Sequence, residues 1–277
     1  MRLLCSTGTF SRSPDYTTYQ QVLRYAPFFV TDKGVEGFEL LFYSSWYPHL
    51  DRIAHDLEQS GLKFPVMHAE KNIGTSLGKP QPEQRQQAVV WLVENCRLGQ
   101  LLGAKLLVLH LWGWPELDDN LENNLQLLST CLDIASEHGI ALAIETVPAR
   151  HAKPLSNIQR ALRQDERCYV ALDTEFLALT EQLDEVFELE ELWQRKRVCH
   201  VHIKDFDGQT FLPNRERRYL HPGEGSIDFK RFFARLKKRG FDGFVSLEAS
   251  ALNREGRVDI EKLHESLRFV REMMNMP

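Results

Sequence analysis

The chain lacks any uninterrupted apolar stretch long enough to cross a bilayer, and its first residues, MRLLCSTGTF, lack the long apolar segment of a secretory signal. No part of it is expected to enter a membrane. Cysteine is scarce and shows no C-x-x-C pairing: Cys5, Cys96, Cys131, Cys168 and Cys199 stand apart, several inside apolar runs where small thiols bury as hydrophobes. A reduced, cytoplasmic protein is expected. Strong charge of one sign is also missing. A formal charge of −5 over 277 residues gives no global attraction for polyanions, so nucleic acid is disfavoured as a partner. Only the local group Arg215, Arg217 and Arg218 could meet a phosphate, and mixed-charge loops of that kind are usually solvated.

What is present is a large apolar fraction, 43%, enough for a sizeable core, in a chain of the length that α/β barrels reach as one unit. A single domain over residues 1–277 is expected. Strand-like and helix-like segments alternate throughout, the pattern of a parallel sheet closed by helical crossovers, an eightfold (β/α) barrel. The strands are expected at Leu3–Ser6, Gly37–Phe42, Phe64–His68, Lys105–Leu111, Ile140–Thr146, Tyr169–Asp173, Cys199–Lys204 and Phe244–Ala249. Helical stripes lie between and after them. Leu121, Leu125, Leu128 and Leu132 share one face, as do Ile260, Leu263, Leu267, Val270 and Met274. Gly61, Gly103, Gly139 and Gly240 each fall between a helical pattern and the next strand, where a left-handed cap suits glycine. The sixth helical unit, Leu177–Trp193, is acidic and poorly periodic, and the longest patternless segment runs from Phe206 to Ile227.

Six apolar runs halt on a group that can hold a metal or move a proton: FPVMH at His68, LLVLH at His110, ALAIE at Glu145, YVALD at Asp173, VCHVH at His202 and FVSLE at Glu248. Strand ends deliver such groups to the rim where barrel enzymes build their sites. Counting back by twos places Ala143, Ala141, Ala171, Tyr169, Ser246, Phe244 and His200 on the same inward parity as those ligands, with Lys204 two residues beyond His202. Two glutamates, an aspartate and one imidazole suit Mn²⁺, Mg²⁺ or Co²⁺, with Zn²⁺ also compatible. The plainer reading of each carboxylate alone is a helix cap or a surface ion pair. His68 and His110, taken singly, could equally be hydrogen-bonded structural residues, and Lys204 could simply pair with Asp205. Trp112, Trp114 and Phe176 could wall a ligand or cover exposed core, with Trp112 the best placed.

These residues resemble the xylose-isomerase-like TIM barrel superfamily, through AIETVP at the fifth strand, ALDTEF at the sixth, HVHIKD at the seventh, HPGEGSIDF before the next helix and GFVSLE at the eighth. The resemblance spans nearly the whole chain. It implies a (β/α)8 fold and, by analogy with the ketose 3-epimerase branch, one divalent ion on Glu145, Asp173, His202 and Glu248. In that branch the two glutamates also act as bases on opposite faces of the substrate. His68, His110, Trp112 and Lys204 are then the expected substrate contacts, and homo-oligomers are common among such relatives. Two departures stand out. Phe176 occupies the place where many relatives carry a histidine, and RRYLH, which offers only His221, lacks the Asp-x-His pair typical of endonuclease IV.

The chemistry so implied is proton abstraction beside a metal-polarised carbonyl of a small-molecule sugar or polyol, through an enediolate. Glu145 is the candidate to take the proton and Glu248 to return one. The alternatives are an endonuclease IV-like phosphodiesterase, a dehydratase or lyase using the same enolate, and a non-catalytic ligand-binding barrel.

Overall fold

The computed structural model describes residues 1–10, 15–30, 35–212, 217–253 and 255–276. Eight strands succeed one another: β1 (Arg2–Ser6), β2 (Gly37–Leu41), β3 (Val66–His68), β4 (Leu106–Leu109), β5 (Ala141–Glu145), β6 (Tyr169–Asp173), β7 (Val198–Ile203) and β8 (Phe244–Leu247). They form a closed parallel barrel in chain order. The fold expected from the alternation is therefore present, with no strand end moved by more than two residues. His110 and Glu248 consequently sit on the first residue after their strands rather than inside them.

By its contacts the chain falls into two compact units. One comprises Met1–Ser13, Thr17–Phe38 and Leu172–Pro277; in it β1 and β7 both pair with β8, Leu4 against Ser246 and His202 against Ser246. The other comprises Pro14–Tyr16 and Glu39–Ala171; there β3 joins β4, β4 joins β5, and Glu145 lies in register with Ala171.

Local sequence explains the helices. Leu121, Leu125, Leu128 and Leu132, spaced by three and four, are all buried along the helix Leu121–Glu137. Each such leucine stabilises the fold by about 1.5–3 kcal/mol relative to exposure. The helix Ile260–Asn275 starts where the Asp259 carboxylate accepts from the Lys262 N–H, and it buries Leu263, Leu267 and Val270. Ile260 and Met274, at the two ends of that stripe, stay half-buried. Gly61, Gly103, Gly139 and Gly240 all adopt φ near +70°, so the helix-to-strand turns use the left-handed conformation anticipated for them. The weakly periodic segment after β6 breaks into three short pieces, Thr174–Leu179, Glu185–Glu188 and Glu190–Gln194, since no apolar stripe sustains a longer helix. No helix among the described residues is long and apolar enough to cross a membrane.

Candidate active site

In the unit that holds β7 and β8, Asp173, His202 and Glu248 each offer one ligand atom, all within 4.8 Å of one another. His202 Nδ1 lies 4.0 Å from Asp173 Oδ2 and 3.8 Å from Glu248 Oε2. Atoms bound to one ion at about 2.1 Å stand roughly 3–4 Å apart, so this donor set is spaced to take a divalent cation. Asp173 ends β6 and begins the next helix, and its Oδ1 accepts from the Phe176 N–H at 3.0 Å. The helix-cap role thus falls on Oδ1, while Oδ2 is the oxygen that faces His202.

Lys204 occupies the centre of this group. Its Nζ stands 2.5 Å from Asp173 Oδ2 and 2.7 Å from Glu248 Oε2, with both lysine and aspartate buried. An ammonium thus sits where the carboxylates converge, which is itself evidence that the cluster favours a cation. Its backbone is fixed by the Thr174 hydroxyl, which accepts from the Lys204 N–H at 3.0 Å and reaches the Lys204 carbonyl at 2.6 Å. The plain reading of the sequence pairs Lys204 with Asp205; the short contacts of its Nζ are to Asp173 and Glu248.

Asp205 has a different task. Its carboxylate accepts backbone N–H groups of Phe206, Gly223, Gly225 and Ile227 at 2.8–3.1 Å. The HPGEG segment is folded around that anion, and a Cβ on Gly225 would overlap Asp205 Oδ1. The helix after it begins as anticipated, with Asp228 accepting from Arg231.

Sequence reasoning missed Glu175. It is buried at 2% exposure, its Oε1 is held by Arg217 Nη2 at 2.6 Å, and its Oε2 lies 4.0 Å from Lys204 Nζ. The available signal was its place two residues after Asp173 at a helix start. Arg217, read from sequence as solvated, is instead drawn to this buried carboxylate, while Arg218 pairs with Asp207; Arg215 lies outside the described residues. Phe176 lies under Lys204 Nζ at 4.6 Å from its ring centre.

In the other unit Glu145 is the hub. His110 Nε2 lies 2.7 Å and His68 Nε2 3.1 Å from the same oxygen, Oε2, and the three residues together form a second set of potential ligands. Burial pushes the His110 pKa down to about 4 against the opposing pull of Glu145, so His110 is a neutral donor. His68 Nδ1 meanwhile faces the Ala69 carbonyl at 2.9 Å. Glu145 Oε2 thus has two imidazole nitrogens at hydrogen-bond distance.

The remaining expected contacts are placed less favourably. Trp112 is fully buried and its indole N–H points at the Val147 and Pro148 carbonyls, whereas Trp114 is 62% exposed. His200 is buried with its ring 4.7 Å from that of His202, a core position.

The family described as xylose isomerase-like TIM barrel matches residues 29–273. An uncharacterized protein of Methanocaldococcus jannaschii is 26% identical over 182 residues, 62% of this chain and 59% of that protein, so the chain spans under two thirds of the relative's length. Among solved structures, D-allulose 3-epimerase from Methylomonas sp. in complex with D-allulose superposes with a TM-score of 0.75 at 16% identity, covering 99% of this chain and 97% of that one. The IOLI protein with a bound zinc atom superposes with a TM-score of 0.65 at 18% identity, covering 99% and 96%. At these identities the likeness concerns the fold.

Proposed function

Because this chain belongs to the xylose isomerase-like TIM barrel family, we propose that it is a divalent-metal-dependent isomerase or epimerase of a small sugar or polyol, with residues 1–277 as one catalytic domain. The observation that carries this reading is the Lys204 ammonium held between Asp173 and Glu248 beside His202, a cation-seeking donor set at three strand ends. Glu145, at the end of β5, is assigned as the fourth ligand. The oxygen-rich set suits Mn²⁺, Mg²⁺ or Co²⁺, and the zinc atom of the IOLI structure keeps Zn²⁺ in view.

When bound, the ion would polarise a substrate carbonyl and so acidify the neighbouring C–H. The residues do the rest. Glu145, steadied by His110 and His68, takes the proton from carbon. Glu248 returns one from the opposite face. Lys204 and His110 donate to the oxygen that gains charge, and His68 and Trp112 bound the substrate. The D-allulose in the Methylomonas structure supports a ketose as the substrate class. Incubation with a ketose panel in deuterated water, followed by NMR, should reveal carbon-bound deuterium that disappears on chelation; no exchange with any ketose would reject the proposal.

A second reading draws on the His68, His110 and Glu145 group, which offers room for another ion in the manner of a phosphodiesterase. That reading requires nicking of abasic duplex DNA, and its absence would discard it.

A further inference from the structure

Glu175 Oε2 is buried and, among the described residues, receives no hydrogen bond, although its partner oxygen is held by Arg217. A carboxylate oxygen removed from water without a donor is unfavourable, and its persistence calls for a state of the protein in which a donor arrives. Lys204 is the donor at hand. Its Nζ stands 4.0 Å away, over the Phe176 ring, while engaged with Asp173 and Glu248. The Thr174 hydroxyl pins the lysine backbone, so any change of partner is a swing of the side chain alone.

We propose that Glu175 is a positioning residue whose free oxygen receives the Lys204 ammonium when a divalent cation takes the Asp173 and Glu248 oxygens. The inference rests on the metal-site reading above. In the ion-free protein Lys204 compensates the two ligand carboxylates. A dication on the same oxygens repels the ammonium. Closing roughly an ångström toward Glu175 gives an ordinary charge-assisted hydrogen bond of about 2.8 Å. Arg217 keeps Glu175 in place and ties it to the segment after β7, donating to the Thr210 and Arg218 carbonyls. Lys204 then remains beside the ion, within reach of a substrate oxygen, without competing for the ligands.

The test is Mn²⁺ binding by calorimetry to the full chain stripped of metal, for the native protein, Lys204→Met, Glu175→Gln and the double variant. Lys204→Met should bind Mn²⁺ at least tenfold more tightly, having lost its competitor. Glu175→Gln should bind at least tenfold more weakly, because the displaced ammonium loses its seat. In the Lys204→Met background the Glu175→Gln change should alter affinity less than threefold, a coupling that mere loss of a nearby negative charge would not produce. Lys204→Gln, which keeps a donor to both carboxylates, serves if Lys204→Met does not fold. Equal weakening by Glu175→Gln in both backgrounds, or no tightening in Lys204→Met, overturns the inference while leaving the metal site standing. A native protein that binds no divalent ion rejects both.

Discussion

His110 Nε2 and His68 Nε2 converge on one oxygen of Glu145, at 2.7 and 3.1 Å, in a site where the glutamate is almost fully buried. A carboxylate given two imidazole partners at a strand end is poised to exchange a proton. Glu145→Gln keeps the shape and removes the basicity. At saturating metal it should lower hydrogen exchange in the reactive ketose by about 10²–10⁴-fold, measured by NMR in deuterated water. Retention of more than a tenth of native exchange would remove Glu145 from the proposed role.

The Asp205 carboxylate gathers four backbone N–H groups of the segment after β7. Asp205→Ala leaves those donors without their acceptor and should destabilise the protein by about 3 kcal/mol in urea unfolding. Gly225→Ala should do comparable harm by pressing its Cβ onto the same carboxylate. A loss below about 0.5 kcal/mol in both, the range of ordinary surface changes, would show that the segment holds itself by other means.

Asp118 joins the segments after β4 and β5. Burial pushes its pKa up, but the Arg150 and His151 N–H groups and the Asn157 amide outweigh it, leaving the carboxyl below its ordinary value of 3.8. A depressed carboxyl stabilises the fold fully above its unfolded pKa, and that contribution drains away as pH falls through the lower folded value. The gap in melting temperature between the native chain and Asp118→Asn should therefore be constant from neutral pH to about 5 and shrink below about 4. A gap that widens on acidification would contradict the assignment.

Gly74 sits in the helix Asn72–Leu77, and a Cβ there would overlap the His110 carbonyl oxygen. Gly74→Ala should cost about 1–3 kcal/mol by overpacking and reduce turnover, since the residue pushed away carries a proposed donor. Gly103, at φ +75° with open space around it, makes the control. Gly103→Ala should cost about 1 kcal/mol or more through backbone strain and leave turnover unchanged in the folded protein. Equal turnover in both variants would sever His110 from the chemistry.

The barrel was readable because its signals are local and repeat. Alternation along each strand, left-handed glycines before β3, β4, β5 and β8, and apolar runs stopping at ionisable residues all depend on neighbours close in sequence. Asp173, His202 and Glu248 could be grouped for the same reason: each lies within one residue of a strand's end. Glu175 and Arg217 escaped because their pairing joins residues 42 positions apart, and a buried carboxylate at a helix start reads in sequence like an exposed first-turn acid. Asp205 likewise read as a partner of its neighbour Lys204, whereas its carboxylate gathers backbone N–H groups as far along the chain as Ile227, a contact no local pattern announces. Trp112, read as a wall for substrate, also directs its indole N–H at the Val147 and Pro148 carbonyls, a long-range contact that no local pattern announces.

The central claim is a single divalent ion gripped by Glu145, Asp173, His202 and Glu248. Elemental mass spectrometry on the purified protein after equilibration with Mn²⁺ tests it most directly, alongside Asp173→Asn and His202→Ala. One ion per native chain, and well under half an ion in either variant, is the predicted result. Two ions per chain, or full occupancy retained in both variants, would contradict it.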